Sequence, residues 1–263
     1  MISFNQLGNM GRLGNQMFQY ASLKGITSNR GFEYCIPPPS SFGANDVNVK
    51  NSNKNIYNVF NINTIQNITE FKTVNEEGHH FNEDLFNNCE DNVNLYGYFQ
   101  SEKYFVHIKD LLKKDFAFKK DIVDECRKNK SEEPFISIHV RRGDYISLQS
   151  FHPVLPLEYY KTALTLLPDI RVLVFSDDTD WVKEQVLFQS DRFTICNYKD
   201  AEKELCLMSL CDYHIICNSS FSWWGAWLSN SKKVIAPFYW FGPSLSRLNI
   251  NDLYPETWNK INF

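Results

Sequence analysis

Two adjacent arginines, Arg141 and Arg142, are the residues whose chemistry is easiest to interpret. They lie in the segment His139–Tyr145 (HVRRGDY), directly after the strand-like run Phe135–Val140. A guanidinium group presents a planar fork of N–H donors that matches phosphate oxygens, and a carboxylate such as Asp144 can hold a second arginine in place. The segment therefore indicates either a diphosphate clamp or a structural arginine–aspartate pair at a strand end.

A second segment is a glycine-containing loop, with Gly8, Gly11 and Gly14 followed by Asn15 and Gln16. Glycines allow a backbone to approach a ligand closely, and the start of a helix offers unpaired N–H groups to an anion. The spacing differs from the GxGxxG pattern of dinucleotide-binding proteins. The loop is either a site of close approach, with Asn15 and Gln16 as neutral donors, or a tight turn.

A third segment is rich in serine and tryptophan, and it follows the predicted strand His214–Cys217. Ser219, Ser220 and Ser222 precede or begin a predicted helix. Serine hydroxyls in this position cap a helix and can donate to phosphate. The neighbouring tryptophans belong either to a binding surface or to the core, and the core is favoured for Trp227.

Asp177 and Asp178 form a fourth segment, after the predicted strand Arg171–Phe175. A carboxylate at this point can accept the two adjacent N–H donors of guanine, a pair that adenine does not present. The alternative is that one of the two aspartates caps the following helix.

The elements that must position these segments alternate between strand and helix from residue 134 onward. Helix-length spacers between apolar strands are typical of a parallel, doubly wound α/β sheet. The predicted strands are 135–140, 171–175, 193–196, 214–217 and 234–236, and the predicted helices are 156–167, 178–188, 201–211 and 221–228. Ligands of such sheets bind outside the carboxyl ends of the strands, which is where the four segments fall.

The first part of the chain predicts another α/β unit. A strand ends near Leu7, a helix covers 15–29, and a strand covers 32–36. The segment 45–94 contains fifteen asparagines in fifty residues, which favours short irregular strands and long loops. After an apolar helical link at 101–129, we place the boundary between an N-terminal domain, 1–130, and a C-terminal domain, 131–263.

Composition excludes several classes of protein. A net charge of −4 argues against general binding of nucleic acid, and we expect no nucleic-acid partner. Seven scattered cysteines without a CxxC pair favour a reduced core and no metal site. No stretch has the pattern of a secretion signal or a spanning helix, so we expect a cytoplasmic protein, free or peripheral to the inner face of the membrane.

Three of these segments resemble one enzyme family. Gly11–Ala21 (GRLGNQMFQYA), His139–Tyr145 and Ser219–Ala226 (SSFSWWGA) are similar to the α-1,2-fucosyltransferases of glycosyltransferase family 11, as is Gly97–Gln100 (GYFQ). The HxRRGD element is also found in α-1,6- and protein O-fucosyltransferases. The family's usual GGLGNQ has Arg12 at its second position here, a variant shared with protein O-fucosyltransferases.

The resemblance implies a GT-B-like α/β fold with two Rossmann-like halves facing a cleft, of which 1–130 would be the acceptor side and 131–263 would bind the donor. It also implies GDP-fucose as donor, transfer to the 2-hydroxyl of a terminal galactoside with inversion, and no metal ion or other cofactor. The acceptor would be a glycan such as lactose or a lipid-linked oligosaccharide. By this resemblance the diphosphate is bound by Arg141 and the loop is braced by Arg142, whereas the donor-binding residues are Gly14, Asn15, His139, Asp177, Asp178, Ser219, Ser220 and Ser222.

The catalytic base is open at this level. Asp144 is the first choice by its closeness to the arginines, His152 the second and Glu158 the third, and a dissociative transition state could proceed without a base. Two other functions also stay open: a fucosyltransferase of different linkage or acceptor, and a non-catalytic carbohydrate-binding protein. The second would use Trp223, Trp224 and Tyr239–Trp240 as stacking surfaces.

Overall fold

The computed structural model describes residues 1–42, 55–128, 133–198 and 200–263. The chain divides into two compact units, Met1–Lys119 with Leu248–Pro255 and Lys120–Arg247 with Glu256–Phe263. The division thus falls before the helix Lys120–Lys128, whereas the sequence placed it after residue 130. Residues 45–54 of the asparagine-rich segment lie outside the described part of the chain.

The first unit is built on a parallel sheet with the strand order β3-β2-β1-β5-β4. Its strands are β1 (Ile2–Ser3), β2 (Tyr34–Ile36), β3 (Ile65–Gln66), β4 (Lys72–Asn75) and β5 (Val93–Tyr96). Its helices are α1 (Leu13–Arg30), α2 (Ile56–Val59), α3 (Glu83–Asn88) and α4 (Lys109–Asp115).

Local sequence accounts for most of this unit. Helix α1 is buried along most of its length because apolar residues occur on nearly all of its faces, and it ends at Gly31, whose φ of 69° is left-handed. The strand expected near Leu7 ends earlier, at Ser3, because the Leu7 N–H turns back to the Phe4 carbonyl at 3.0 Å. The short strands β3 to β5 agree with the irregular content predicted for the asparagine-rich segment.

The second unit has a parallel sheet with the strand order β11-β10-β9-β6-β7-β8. Its strands are β6 (Ile136–Val140), β7 (Val172–Ser176), β8 (Phe193–Ile195), β9 (Tyr213–Ile215), β10 (Lys233–Pro237) and β11 (Asn259–Ile261). Its helices are α5 (Lys120–Lys128), α6 (Leu157–Thr165), α7 (Thr179–Glu184), α8 (Ala201–Ser209) and α9 (Ser220–Leu228).

The core of the second unit lies against the central strands. Every residue of β6 and β7 is buried, as expected for parallel strands that are covered on both faces. Tyr159 and Tyr160 of α6 are completely buried in the same cluster. The sequence predicted β6 to β10 within a few residues, but it did not predict β11, a polar edge strand that pairs with β10.

The order of strands places a topological switch point between β6 and β9. From β6 the chain continues to β7 and β8 on one side, and from β9 it continues to β10 and β11 on the other. In sheets of this kind the crevice at the switch point is where ligands bind.

Candidate active site

The loops that follow β6, β7 and β9 meet at the carboxyl edge of the second sheet. These three strands are neighbours in the sheet, so the segments starting at Arg141, Asp177 and Cys217 are brought together although they are far apart in sequence. The Tyr145 hydroxyl donates to the Asn218 carbonyl oxygen at 2.9 Å and ties the first loop to the third.

Arg141 is held between two carboxylates. One terminal nitrogen donates to Asp144 Oδ1 at 2.5 Å, and the other lies 2.8 Å from Asp177 Oδ2. The guanidinium also lies 5.4 Å from the centre of the Tyr145 ring. Burial opposes the charge of Arg141, but the two carboxylates outweigh burial and raise its pKa. Arg141 is therefore a fixed cation at the switch point.

Arg142 has different partners from its neighbour. Its Nε donates to Asp178 Oδ2 at 2.9 Å, and its guanidinium lies 3.9 Å from the centre of the Trp181 ring. Its backbone N–H donates to Asp177 Oδ1 at 2.9 Å. Both contacts of the side chain join the loop to α7, which is the bracing role that the family resemblance implied.

The aspartate pair is thus engaged with the arginines. Asp178 also caps α7, because its Oδ1 accepts the Trp181 N–H at 3.2 Å. The helix-capping interpretation of the sequence therefore holds for Asp178. Contact of Asp177 and Asp178 with guanosine stays a prediction.

The serines begin α9 but do not all face the same way. Ser219 caps the helix by accepting the Phe221 N–H at 3.4 Å, and Ser220 is half-buried in the first turn. Ser222 is only 2% exposed, and its hydroxyl lies within hydrogen-bond distance of the carbonyl oxygens of Cys217 and Ser219. Ser222 is thus placed inside the junction between β9 and α9, and its contact with phosphate stays a prediction.

His139, the last but one residue of β6, is buried against Cys217. Its Nδ1 lies 3.1 Å from the Cys217 Sγ. Burial and the nearby Arg141 charge lower the pKa of His139 to about 3, and burial raises the pKa of Cys217 to about 12. Both groups are neutral, so the thiol can donate to Nδ1 and leave the proton of the ring on Nε2. The sequence alone indicates only a core position for Cys217 and does not predict this contact.

His152 and Tyr145 stack beside the arginine loop. Their rings are 5.1 Å apart at an angle of 20°. Burial lowers the pKa of His152, and its Nδ1 is buried without a hydrogen-bond partner in the described part of the chain. The charge of Asp144 acts on His152 and opposes the effect of burial on its pKa, whereas Glu158 pairs with Lys161 on the exposed first turn of α6, at 3.2 Å.

Gly14 and Asn15 lie in the first unit, at the start of α1. The Asn15 Oδ1 accepts Gln100 Nε2 at 2.9 Å, which joins the loop after β1 to the loop after β5. Gln16 is completely buried, and its amide nitrogen donates to the Gly11 carbonyl oxygen at 3.2 Å. Gln16 therefore supports the loop rather than offering a free donor, and the donor contacts of Gly14 and Asn15 stay predictions.

A family model decides the identity of the chain. The model of glycosyl transferase family 11 matches residues 2–262, almost the whole sequence. The chain belongs to glycosyltransferase family 11.

Three relatives of known name are moderately similar to this transferase. It is 31% identical to the alpha-1,2-colitosyltransferase of Escherichia coli over 95% of this chain and 96% of that protein. It is 32% identical to the O-antigen biosynthesis glycosyltransferase WbnK of Escherichia coli, over 64% of this chain and 63% of WbnK. It is 27% identical to the galactoside 2-alpha-L-fucosyltransferase of Caenorhabditis elegans, over 62% of this chain and 51% of that protein.

Solved structures confirm the fold class of the transferase. The NodZ alpha-1,6-fucosyltransferase soaked with GDP-fucose matches with a TM-score of 0.53 at 14% identity, over 87% of this chain and 92% of NodZ. POFUT1 in complex with GDP matches with a TM-score of 0.52 at 12% identity, over 89% of this chain and 96% of POFUT1. With its two parallel sheets, the transferase has the GT-B-like α/β fold that the sequence predicted.

Most of the side chains required by the carbohydrate-binding alternative are buried. Trp223 and Trp224 are completely buried and Trp240 is nearly so, because they pack into the core around α9. Tyr239, at 53%, is the exposed member of that set. The three tryptophans named for this alternative are therefore not available as stacking surfaces.

Metal and membrane features can be stated for residues 1–42, 55–128, 133–198 and 200–263. Within these residues no three His, Cys, Asp or Glu side chains are grouped so that they could hold a metal ion. Asp178 and Asp180 have DxD spacing, but Asp178 binds Arg142 and Asp180 pairs with Lys183. No helix of these residues combines the length and apolar character needed to cross a membrane.

Proposed function

We propose that this family 11 transferase moves L-fucose from GDP-fucose to the 2-hydroxyl of a terminal galactoside, with inversion at the anomeric carbon and without a metal ion or other cofactor. The observation that carries the proposal is Arg141, a half-buried and permanently charged fork at the switch point of the second sheet. Strand β9, which pairs with β6, is followed by α9, and the N-terminus of α9 is a second source of positive potential.

These groups suit the leaving group of the reaction. When the bond between the anomeric carbon and the phosphate oxygen breaks, its electron pair stays on GDP and negative charge develops on the diphosphate. Fixed cationic and N–H donors aimed at that charge lower the barrier because they need no reorganisation during the reaction. Arg141 and the first turn of α9 fill this role in the proposed mechanism.

The acceptor hydroxyl attacks from the opposite face, and a base that accepts its proton assists the attack. We assign this role to Asp144, whose side chain is 40% exposed beside Arg141, with His152 as the second candidate. His152 is also competent to accept a proton, because burial keeps it neutral. The neutral His139 would offer its Nε2–H to the donor nucleotide.

The alpha-1,2 linkage and the glycan acceptor are supported by the names of the relatives. The colitosyltransferase and the nematode enzyme both form bonds at position 2, and WbnK acts in O-antigen biosynthesis. A lipid-linked oligosaccharide or a free galactoside such as lactose would therefore be a suitable acceptor.

A second donor is favoured by one observation, the match to the colitosyltransferase over almost the whole of both chains. Colitose is L-fucose without its 3-hydroxyl group, so the same diphosphate clamp could serve both donors. Transfer from GDP-colitose in preference to GDP-fucose would replace the proposed donor while leaving the linkage unchanged.

The test is turnover of GDP-fucose and of GDP-colitose with lactose in the presence of EDTA, with the product linkage read by NMR. An α-1,2-fucosylated product under EDTA is the expected result. Arg141→Ala should abolish turnover with an unchanged circular dichroism spectrum, while Arg127→Ala, on the exposed end of α5, should behave as the wild type. Near-normal turnover of Arg141→Ala would refute the diphosphate role of Arg141, and failure of the wild type to bind GDP at all would refute the proposed function.

A further inference from the structure

The charges around Arg141 do not favour an anion as they stand. Two guanidinium groups face three carboxylates, those of Asp144, Asp177 and Asp178. Both terminal nitrogens of Arg141 are already engaged, one by Asp144 and the other by Asp177. Each terminal nitrogen has a second N–H, but a diphosphate that approaches this fork meets two carboxylates of its own charge, and its binding is favoured when one of them moves away.

Asp177 is the carboxylate that is held more firmly by the loop. Its Oδ1 accepts the Arg142 backbone N–H while its Oδ2 pairs with Arg141, so it joins two consecutive residues of the loop. It also packs on the backbone of Gly143, where an added Cβ would lie 2.3 Å from Asp177 Oδ2. Displacing Asp177 would break the contacts that shape the loop.

Asp144 is better suited to exchange. It lies three residues after Arg141 on the same loop, in a four-residue 3-10 helix, Gly143–Ile146. Its side chain is 40% exposed, compared with 25% for Asp177, so water can solvate it when it leaves the guanidinium. Its bond to Arg141 joins two opposite charges, and a phosphate oxygen can form an equivalent charge-assisted bond.

From this geometry we infer that Asp144 occupies the position on Arg141 that the donor diphosphate takes over, and that donor binding thereby releases Asp144 to act on the acceptor. The inference rests on the proposed function. After release, the acceptor oxygen bonds to the anomeric carbon and its proton passes to Asp144. The bond to phosphate breaks with its electron pair on GDP. The base is thus freed only when a donor is present.

If the diphosphate replaces Asp144 on Arg141, Asp144 and Asp177 must have opposite effects on GDP binding. Asp144→Asn removes a competitor, so GDP should bind more tightly, by about tenfold, the equivalent of about 1.4 kcal/mol. Asp177→Asn removes the brace, so GDP should bind more weakly by at least the same factor. Guanosine, which has no phosphate, should bind Asp144→Asn and the wild type equally.

The measurement is isothermal titration of GDP and guanosine into the wild type and three variants. The third, Asp180→Asn, is the charge-matched control, because Asp180 is an exposed aspartate on α7 that pairs with Lys183. It should leave GDP affinity unchanged, which separates exchange from a general change of charge. In turnover assays Asp144→Asn should lower kcat by about a hundredfold, the usual scale for loss of a general base.

Weaker GDP binding by Asp144→Asn, in parallel with Asp177→Asn, would overturn the inference and make Asp144 a second brace. Equal tightening by Asp180→Asn would overturn it as well, as would tighter GDP binding by Asp144→Asn with unchanged kcat. Absence of GDP binding to the wild type would instead refute the proposed function, so the two failures are distinguishable.

Discussion

Glu76 is a carboxylate of the first unit that holds the loop after β5. Its two oxygens accept the backbone N–H groups of Tyr98 and Phe99 at 2.7 and 2.9 Å. The next residue of that loop, Gln100, donates to Asn15 at the start of α1. Glu76 therefore supports the contact between the two loops through the backbone, and its protonation state bears on the stability of this end of the sheet.

Burial raises the pKa of Glu76 from 4.5 to about 7, although the two N–H donors and His80 act in the opposite direction. Between these values the folded protein holds a proton that the unfolded chain releases. The contribution of Glu76 to stability is therefore fully present below pH 4.5 and is lost as the pH rises through 7. The size of the loss is about 3 kcal/mol, at about 1.4 kcal/mol for each pH unit between the two pKa values.

Glu76→Gln removes this titration while keeping the shape of the side chain. The free energy of unfolding of the wild type, relative to Glu76→Gln, should fall by about 3 kcal/mol between pH 4.5 and pH 8. Urea denaturation of both proteins across this range measures the difference, and the ¹³C shift of the Glu76 carboxyl reports its pKa directly. The difference in free energy of unfolding between the two proteins cancels the contributions of the other titratable groups, which both proteins share.

Glu77→Gln is the matched control, because Glu77 is the exposed neighbour of Glu76. It should follow the wild type at every pH. A difference between the wild type and Glu76→Gln that is constant with pH, or that rises, would refute the reasoning. The two N–H donors would then outweigh burial and keep the carboxylate ionised.

Three further outcomes follow from single contacts. Gly143→Ala places a methyl group 2.3 Å from Asp177 Oδ2, so GDP affinity measured by calorimetry should fall by at least about tenfold while the circular dichroism spectrum is unchanged. Gly25→Ala places a methyl group 2.0 Å from the Tyr104 carbonyl oxygen, so urea denaturation should show a loss of about 1–3 kcal/mol, whereas an unchanged midpoint would contradict the packing of α1. Burial lowers the pKa of His214 to about 4, so its contribution to stability is lost as the pH falls from 6.5 towards 4, by about 3 kcal/mol. His214→Asn should remove that part of the pH slope, and an unchanged slope would contradict it.

Much of the second unit could be predicted from sequence because its strands are local features. Runs such as Phe135–Val140 have apolar residues at four of six positions, and the helices between them show helical spacing of apolar residues and typical starting residues. The edge strand β11 could not be predicted, since Asn259–Ile261 is polar and pairs only because β10 offers an unpartnered edge. The early end of β1 at Ser3 depends likewise on the turn between Phe4 and Leu7, which the residue pattern does not predict.

The sequence by itself determined which segments follow strands, and that Arg141, Asp177 and the serines before α9 should lie at one edge of a parallel sheet. The tertiary structure decided how these side chains pair. The order of strands puts β6 between β9 and β7, and only then does Asp177 reach Arg141, or Cys217 reach His139. Pairing depends on which strands are neighbours and on where each side chain points. Both are set by packing between residues distant in the chain, which local periodicity does not encode.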